Sequence, residues 1–359
     1  MPDETAPGDA PGMSGAADMA AGARGQRRAA LLSRAGWSAA RAEALAGDAS
    51  ARRYERLHHP ESGATAVLMD APVQAGEDVR PFARIARHLH GLGLSAPQVL
   101  AEDAPGGYLL LEDLGDALFA RLLEAHPVQE RALYTAATDL LVALHRAPAP
   151  PGIAEYDPPL MGELAALALD WYAPDPVPHA EREAFVRQIA QLCAEHTARR
   201  DVLILRDYHA ENLIWLPGRA GVARVGLLDF QDAMAGHPAY DLVSLLQDAR
   251  RDVAAGTEAE MLAHYAAVTG IDRAGFATAY AVLGMQRNLR ILGVFARLCL
   301  RDGKPRYLDY LPRVWAYLRR DLAHPALAPL RARIDALLPA PDPALLQELR
   351  RRCPTAPKP

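Results

Sequence analysis

The spacing of apolar positions changes once along the chain, near Asp113. Upstream, short apolar runs are broken by turn residues. Asp48–Leu57 and Ala64–Asp70 flank His58–Gly63, a pattern that predicts a β-hairpin with its turn near Pro60–Gly63. Gln98–Glu102 and Gly107–Glu112 predict two further strands around Ala104-Pro105-Gly106. Between the two pairs, Phe82, Ile85, Ala86 and Leu89 recur at helical spacing, which predicts a helix over roughly Val79–Leu92. Two more helices are expected upstream. One spans about Gln26–Arg34, and the other follows Ser38, a suitable N-cap ahead of Ala39–Glu43. Residues 28–112 thus read as a small, mostly antiparallel sheet carrying helices.

Downstream the period is helical. Arg131–His145 and Ala180–His196 each predict one helix, the second with Phe185, Ile189, Leu192, Cys193 and His196 on one face. From about Asp241 to Arg351 the pattern stays helical, with a break at Pro305. Only Arg206–Tyr240 reads as strands and loops. The expected organisation is a disordered extension (1–27), a sheet-rich lobe (28–112), a helix-rich lobe (113–352) and a tail (353–359). That is an α+β, bilobal fold with a cleft at the junction.

Composition narrows the function classes. The chain has 359 residues, half of them hydrophobic and 23% charged, with a net charge of −5. That suits a globular enzyme, and with no long basic run no nucleic-acid partner is expected. Cys193, Cys299 and Cys353 are odd in number and widely spaced, so neither a disulfide framework nor a cysteine zinc site is expected. The start has no secretory pattern and no long apolar run occurs, so the expected partner is a small molecule rather than a membrane, in the cytoplasm, for a monomer. Lysine is scarce: only Lys304 and Lys358, against 37 arginines.

The chemistry is concentrated in Val202–Trp215 and Arg224–Asp232. An apolar strand delivers Asp207, Asn212 follows five residues later, and a second apolar strand delivers Asp229. Each alone is a common turn residue. Together they match what phosphoryl transfer requires: a carboxylate at the attacking hydroxyl and oxygen ligands for magnesium on the phosphates. His209 reads as a packed loop histidine, and Asp232 as a loop cap or a contact to sugar or metal.

Arg206-Asp207-x-x-x-x-Asn212 followed by Asp229-Phe230-Gln231 resembles the catalytic and metal loops of the aminoglycoside phosphotransferase family, relatives of protein kinases. The resemblance covers about residues 28–345. Gly47–Tyr54, Leu110–Asp116, Met285–Arg297 and Gly303-Lys304 resemble the branch of bacterial anomeric amino-sugar kinases. Those use ATP to phosphorylate the C1 hydroxyl of N-acetylmuramic acid or N-acetylglucosamine in cell-wall recycling. The resemblance implies a protein-kinase-like fold with Asp207 as catalytic base and Asn212 and Asp229 as magnesium ligands. It implies that the loop over 47–57 covers the phosphates of ATP, with Ser50, Arg52 and Arg53 as contacts. Glu112–Leu114 would be the hinge near adenine, and Asp241 a structural anchor of the catalytic loop. The sequence departs from the wider family at Leu205, where histidine is common. It also departs at the third strand, where the phosphate-contacting lysine is replaced by Leu68 or Met69.

The helix around 280–301 carries Arg287, Arg290, Arg297 and Arg301 near one face. A solvated arginine face is one reading and an anion-recognising wall is the other. N-acetylmuramic acid carries a carboxylate, whereas an aminoglycoside is a polycation, so the wall favours the acetylated sugar and puts Arg287 and Arg290 at the substrate. The rival functions are an aminoglycoside or other small-alcohol kinase of the same fold, and a nucleotide-binding regulator without catalysis.

Overall fold

The structure is a computed structural model and describes residues 13–45 and 51–354. The chain divides into two compact units, residues 1–87 with 96–115, and residues 88–95 with 116–359.

In the first unit, helix α1 (Met13–Arg34) precedes strands β1 (Arg41–Leu45), β2 (Arg53–His58), β3 (Thr65–Asp70), β4 (Val99–Asp103) and β5 (Tyr108–Glu112). These form one antiparallel sheet in the order β1-β2-β3-β5-β4. Helix α2 (Arg80–Gly91) lies between β3 and β4 in the chain. The two-residue period puts Ala66 and Leu68 on one face, and Tyr108 and Leu110 beside them. Leu31 and Leu32 of α1 close this core with Leu57.

Two expectations are corrected. The stretch after Ser38 is not helical: Arg41–Leu45 is strand β1, paired with β2 from Arg41↔His58 to Leu45↔Tyr54. Five residues cannot offset the cost of nucleating a helix, and an open sheet edge offers them a full hydrogen-bond ladder. The first helix also starts at Met13, well before Gln26. Arg24 and Arg27, expected in an irregular extension, are tied down. Arg24 donates to the Gly106 carbonyl (3.0 Å) and lies over the Tyr108 ring, while Arg27 pairs with Asp103 (3.1 Å).

The second unit contains helices α3 (Phe119–Ala125), α4 (Glu130–Leu144) and α5 (Pro158–Leu167), a π turn at Ala168–Tyr172, and α6 (His179–His196). Then come the short strands β6 (Val202–Ile204), β7 (Leu213–Trp215), β8 (Val225–Leu227) and β9 (Met234–Gly236). The rest is helical: α7 (Ala239–Leu246), α8 (Ala255–Thr269), α9 (Arg273–Leu300), α10 (Leu311–Asp321), α11 (Ala328–Leu337) and α12 (Pro343–Arg351). β6 pairs with β9, and β7 with β8. The long helix α9 is the spine. Asp272 caps it by accepting from the N–H groups of Ala274 and Gly275. From Ala279 to Gly293 every residue but Arg290 is buried. Gly293 is required there, because a Cβ would lie 2.2 Å from the Leu167 carbonyl carbon at the start of the π turn.

Candidate active site

Asp207 stands three residues beyond β6, whose Val202, Leu203 and Ile204 are all buried. Between strand and aspartate the backbone makes a tight three-residue turn. The Asp207 N–H donates to the Leu205 carbonyl at 2.9 Å, and Arg206 at its centre has φ 70°. That is the left-handed region, costly for a residue with a Cβ. Among the described residues just one other non-glycine residue has a positive φ, Asp229 at 54°. Strain of this kind persists only where surrounding bonds over-determine it, and it gathers at functional sites.

The bonds holding the first turn come from α7. The Asp241 carboxylate accepts from the N–H groups of Leu205 (2.7 Å) and Arg206 (2.9 Å), and the Ser244 hydroxyl donates to the Arg206 carbonyl (3.0 Å). Burial pushes the Asp241 carboxyl up to about 7, against the pull of those two amides. The Arg206 guanidinium reaches forward to donate to the Asp232 carbonyl (3.2 Å).

The β7–β8 ribbon brings the metal-ligand candidates together. Asn212 immediately precedes β7, and Asp229 stands two residues after β8. Leu213 pairs with Leu227, and the Leu228 N–H donates to the Asn212 carbonyl (2.9 Å), so Asn212 and Asp229 occupy the same end of the ribbon. The Asn212 amide nitrogen donates to the Asp207 carbonyl (2.9 Å) and to His209 Nε2 (3.4 Å), which joins all three residues in one place. With both amide hydrogens engaged, Oδ1 is the atom left for a cation. Gln231 donates to Asp229 Oδ1 (2.6 Å), fixing that carboxylate. One carboxylate and one amide oxygen, with the substrate's phosphates, suit magnesium, which keeps few protein ligands.

Charge around Asp207 comes from arginines. Burial raises its carboxyl, but Arg290, then His209, Arg287 and Arg206, outweigh it and leave it below the ordinary aspartate value. Burial holds His209 itself down, at about 4, so at neutral pH it is an acceptor rather than a charge. Arg250 donates to the same Nε2 (3.3 Å), which agrees with a neutral ring protonated on Nδ1.

The α9 arginines do not form a solvated face at this end. Arg287 is 4% exposed and donates to the Ser244 hydroxyl (2.9 Å). Arg290 is partly accessible and donates to the Tyr240 hydroxyl (3.3 Å). Tyr240 is buried edge-to-face against Tyr156, with ring centroids 4.9 Å apart. Burial pushes the Tyr240 phenol up, but Arg290, Arg287 and Arg206 more than reverse this, and it sits below the ordinary tyrosine value. Sequence reasoning missed Tyr156, Tyr240 and Ser244. They come from α7 and a loop far apart in the chain, and no local pattern marks them.

In the first unit, Arg52 pairs with Glu77 (2.8 Å), both side chains 15% exposed. Arg53 opens β2 and is exposed. Glu112 closes β5, with its N–H on the Gln98 carbonyl (2.8 Å), and Leu114 is buried. Leu68 and Met69 are buried strand residues. Ser50 lies outside the described residues. The exposed Asp232 offers its carbonyl, not its carboxylate, to Arg206.

Comparison with known proteins shows the fold and the family. An N-acetylmuramate/N-acetylglucosamine kinase of Caulobacter vibrioides is 43% identical, covering 87% of this chain and 96% of that protein. The protein of the same name in Pseudomonas aeruginosa is 35% identical, covering 79% of this chain and 84% of the relative. Among solved structures, choline kinase LicA from Streptococcus pneumoniae superposes with a TM-score of 0.55 at 15% identity, covering 77% of this chain and 94% of that one. The GDP and kanamycin complex of APH(2")-IIIa does so at 0.54 and 16% identity, covering 79% and 93%. The fold is therefore kinase-like, with a small antiparallel sheet and a helix-rich remainder. Residues 41–277 match the model of the phosphotransferase enzyme family, and the chain belongs to that family.

Proposed function

We propose that this protein is an ATP-dependent kinase that phosphorylates the C1 hydroxyl of N-acetylmuramic acid, N-acetylglucosamine or both, in cell-wall sugar recycling in the cytoplasm, as a monomer. The observation that carries the reading is the junction of Asp207, Asn212 and Asp229 through the β7–β8 ribbon and the Asn212 amide. The relatives named for these two sugars support the acceptor.

Asp207 accepts a hydrogen bond from the anomeric hydroxyl, aligns it in line with the γ-phosphate, and takes its proton as the new O–P bond forms and the bond from the γ-phosphorus to the β,γ-bridging oxygen breaks, so that ADP leaves. Its depressed pKa keeps it ionised and ready to accept. Asn212 and Asp229 hold magnesium, which when bound neutralises charge on the transferring phosphoryl group. Arg290, with Arg287 behind it, supplies fixed positive charge at the acceptor. Asp232 stands at the rim of the acceptor site. In the first unit, Arg52, Arg53 and Ser50 are assigned to the phosphates of ATP, and Glu112 and Leu114 to adenine, with residues 28–112 as the nucleotide lobe and 113–352 as the catalytic lobe. The Arg52–Glu77 pair supports this assignment, since it gives the lysine-free lobe a fixed cation.

Purified protein with ATP and magnesium, offered a panel of amino sugars, aminoglycosides and small alcohols, tests the proposal by mass spectrometry of the products. A 1-phosphate of either acetylated sugar is expected. Turnover only of an aminoglycoside, or nucleotide binding with no product, defeats it.

A further inference from the structure

α9 is buried without a break from Ala279 to Leu289, and from Arg290 onward a stripe opens. Arg290, Val294 and Arg297 are partly accessible and Arg301 is exposed, while Ile291, Leu292, Gly293, Phe295, Ala296 and Cys299 stay buried. Positions 290, 294, 297 and 301 step along one face of a helix. The stripe starts at Arg290, whose charge acts on Asp207 and whose guanidinium is bonded to Tyr240, and continues towards the C-terminal end of the helix.

The arginines near this face are not equivalent. Arg287 is buried and donates to Ser244 through Nη2, with Nε and Nη1 buried and unpartnered, while Arg290 is bound to Tyr240 and lies in the field of Asp207. Arg301 is paired with Asp302 through two contacts, at 2.6 and 2.9 Å. The Arg297 side chain has neither an ion pair nor a hydrogen bond among the described residues, and its Nε is buried without a partner. A guanidinium that is half withdrawn from water, flanked by arginines and lacking an anion, costs free energy unless a ligand supplies the charge. Burial, then Arg301, push its pKa below the ordinary arginine value; Asp302 opposes this and Arg290 adds to it. Arg297 stands seven residues, on the order of 10 Å, beyond Arg290 along the helix.

We propose that Arg297 is the carboxylate-recognising residue of the acceptor site, binding the lactyl carboxylate of N-acetylmuramic acid while the anomeric hydroxyl lies at Asp207. The assignment rests on the amino-sugar kinase reading above. Arg290 then serves the reacting end of the sugar and Arg297 the far end. N-acetylglucosamine, which has no carboxylate, is accepted without using Arg297.

The test is steady-state kinetics of the full chain with ATP and each sugar, for the parent, Arg297→Met and Arg297→Lys. With Arg297→Met the KM for N-acetylmuramic acid is expected to rise about tenfold or more, the scale of losing a charge-assisted hydrogen bond, with kcat held within about threefold. The KM for N-acetylglucosamine stays within about twofold. Arg297→Lys recovers part of the loss on the carboxylated sugar. The carboxamide of N-acetylmuramic acid, offered to the parent, shows the same rise in KM without any mutation. An equal loss on both sugars, or no change on N-acetylmuramic acid, overturns the assignment of Arg297 while the kinase reading stands. A parent protein that phosphorylates neither sugar overturns the kinase reading, and the assignment with it.

Discussion

The Asp241 carboxylate, in the first turn of α7, accepts the backbone N–H of Arg206 at 2.9 Å and so holds a left-handed residue next to Asp207, the proposed base. The same carboxylate takes the Leu205 N–H with its other oxygen. An asparagine can accept with only one oxygen, so Asp241→Asn leaves one buried amide unpaired. The expected cost is about 1–3 kcal/mol of stability. A loss of kcat larger than the loss of substrate affinity should accompany it, because Asp207 is displaced rather than removed. Urea unfolding and steady-state kinetics on one preparation check this. Unchanged kcat would show that the Arg206 turn does not depend on Asp241.

Asp207→Asn preserves shape and removes the proposed proton acceptor. Asp229→Asn removes one charge from the proposed cation site. Each is expected to lower kcat by about 10³-fold or more, on the scale of losing a main electrostatic or positioning group. Melting temperatures should stay within a few degrees of the parent. Turnover close to the parent in either variant would remove these residues from the chemistry.

His209 Nε2 accepts from the Asn212 amide at 3.4 Å and helps to turn its oxygen outward. His209→Leu removes that acceptor and frees the amide to flip. Magnesium at half-maximal activity should rise severalfold, with the acceptor KM changed much less. His209→Gln puts an oxygen near the place of Nε2 and should recover most of the affinity. Manganese binding in the presence of ADP, followed by electron paramagnetic resonance, reads the same effect without turnover.

Two buried groups give stability terms of opposite sign with pH. Burial, with Arg199 adding to it, pushes His145 from 6.5 down to about 3. The unfolded chain then takes up a proton below pH 6.5 that the folded chain refuses. This contribution is complete above 6.5 and is lost as the pH falls towards 3. At pH 5 the loss is about 2 kcal/mol, which His145→Gln should abolish. Asp321 is the converse. Burial raises it to about 8, against hydrogen bonds from Gln247 and Asn288. Its contribution is complete below the unfolded value of 3.8 and is lost as the pH rises through about 8. Asp321→Asn should therefore gain on the parent between pH 5 and 8.5. Urea titrations at those pH values measure both slopes.

Much of the site was readable in order along the chain. Asp207 and Asp229 follow the buried strands β6 and β8 and Asn212 immediately precedes β7, at spacings that a short hairpin can bring together, and β6, β7 and β8 form as that pattern requires. The Asp241 anchor was readable too, and its two amide bonds bear it out. β1 was not. Arg41–Leu45 has helix-forming residues, and only the open edge of β2 turns it into a strand. Nor did the arginines on α9 separate by spacing alone. Burial and hydrogen bonding separate them: Arg287 is buried with a bond to Ser244, Arg290 is bound to Tyr240, and the Arg297 side chain has no bonded partner among the described residues.

The order of residue types along the chain determined which groups can do chemistry and which elements carry them, because strand and helix periods and loop spacings are local properties. It determined as well that no lysine stands in the first 303 positions. The tertiary structure decided how those groups are aimed and charged. A left-handed Arg206 clamped by Asp241, a phenol of Tyr240 pulled down by three arginines, and a neutral His209 all depend on contacts from distant segments. Burial and long-range charge act through space, and one sequence window does not contain them.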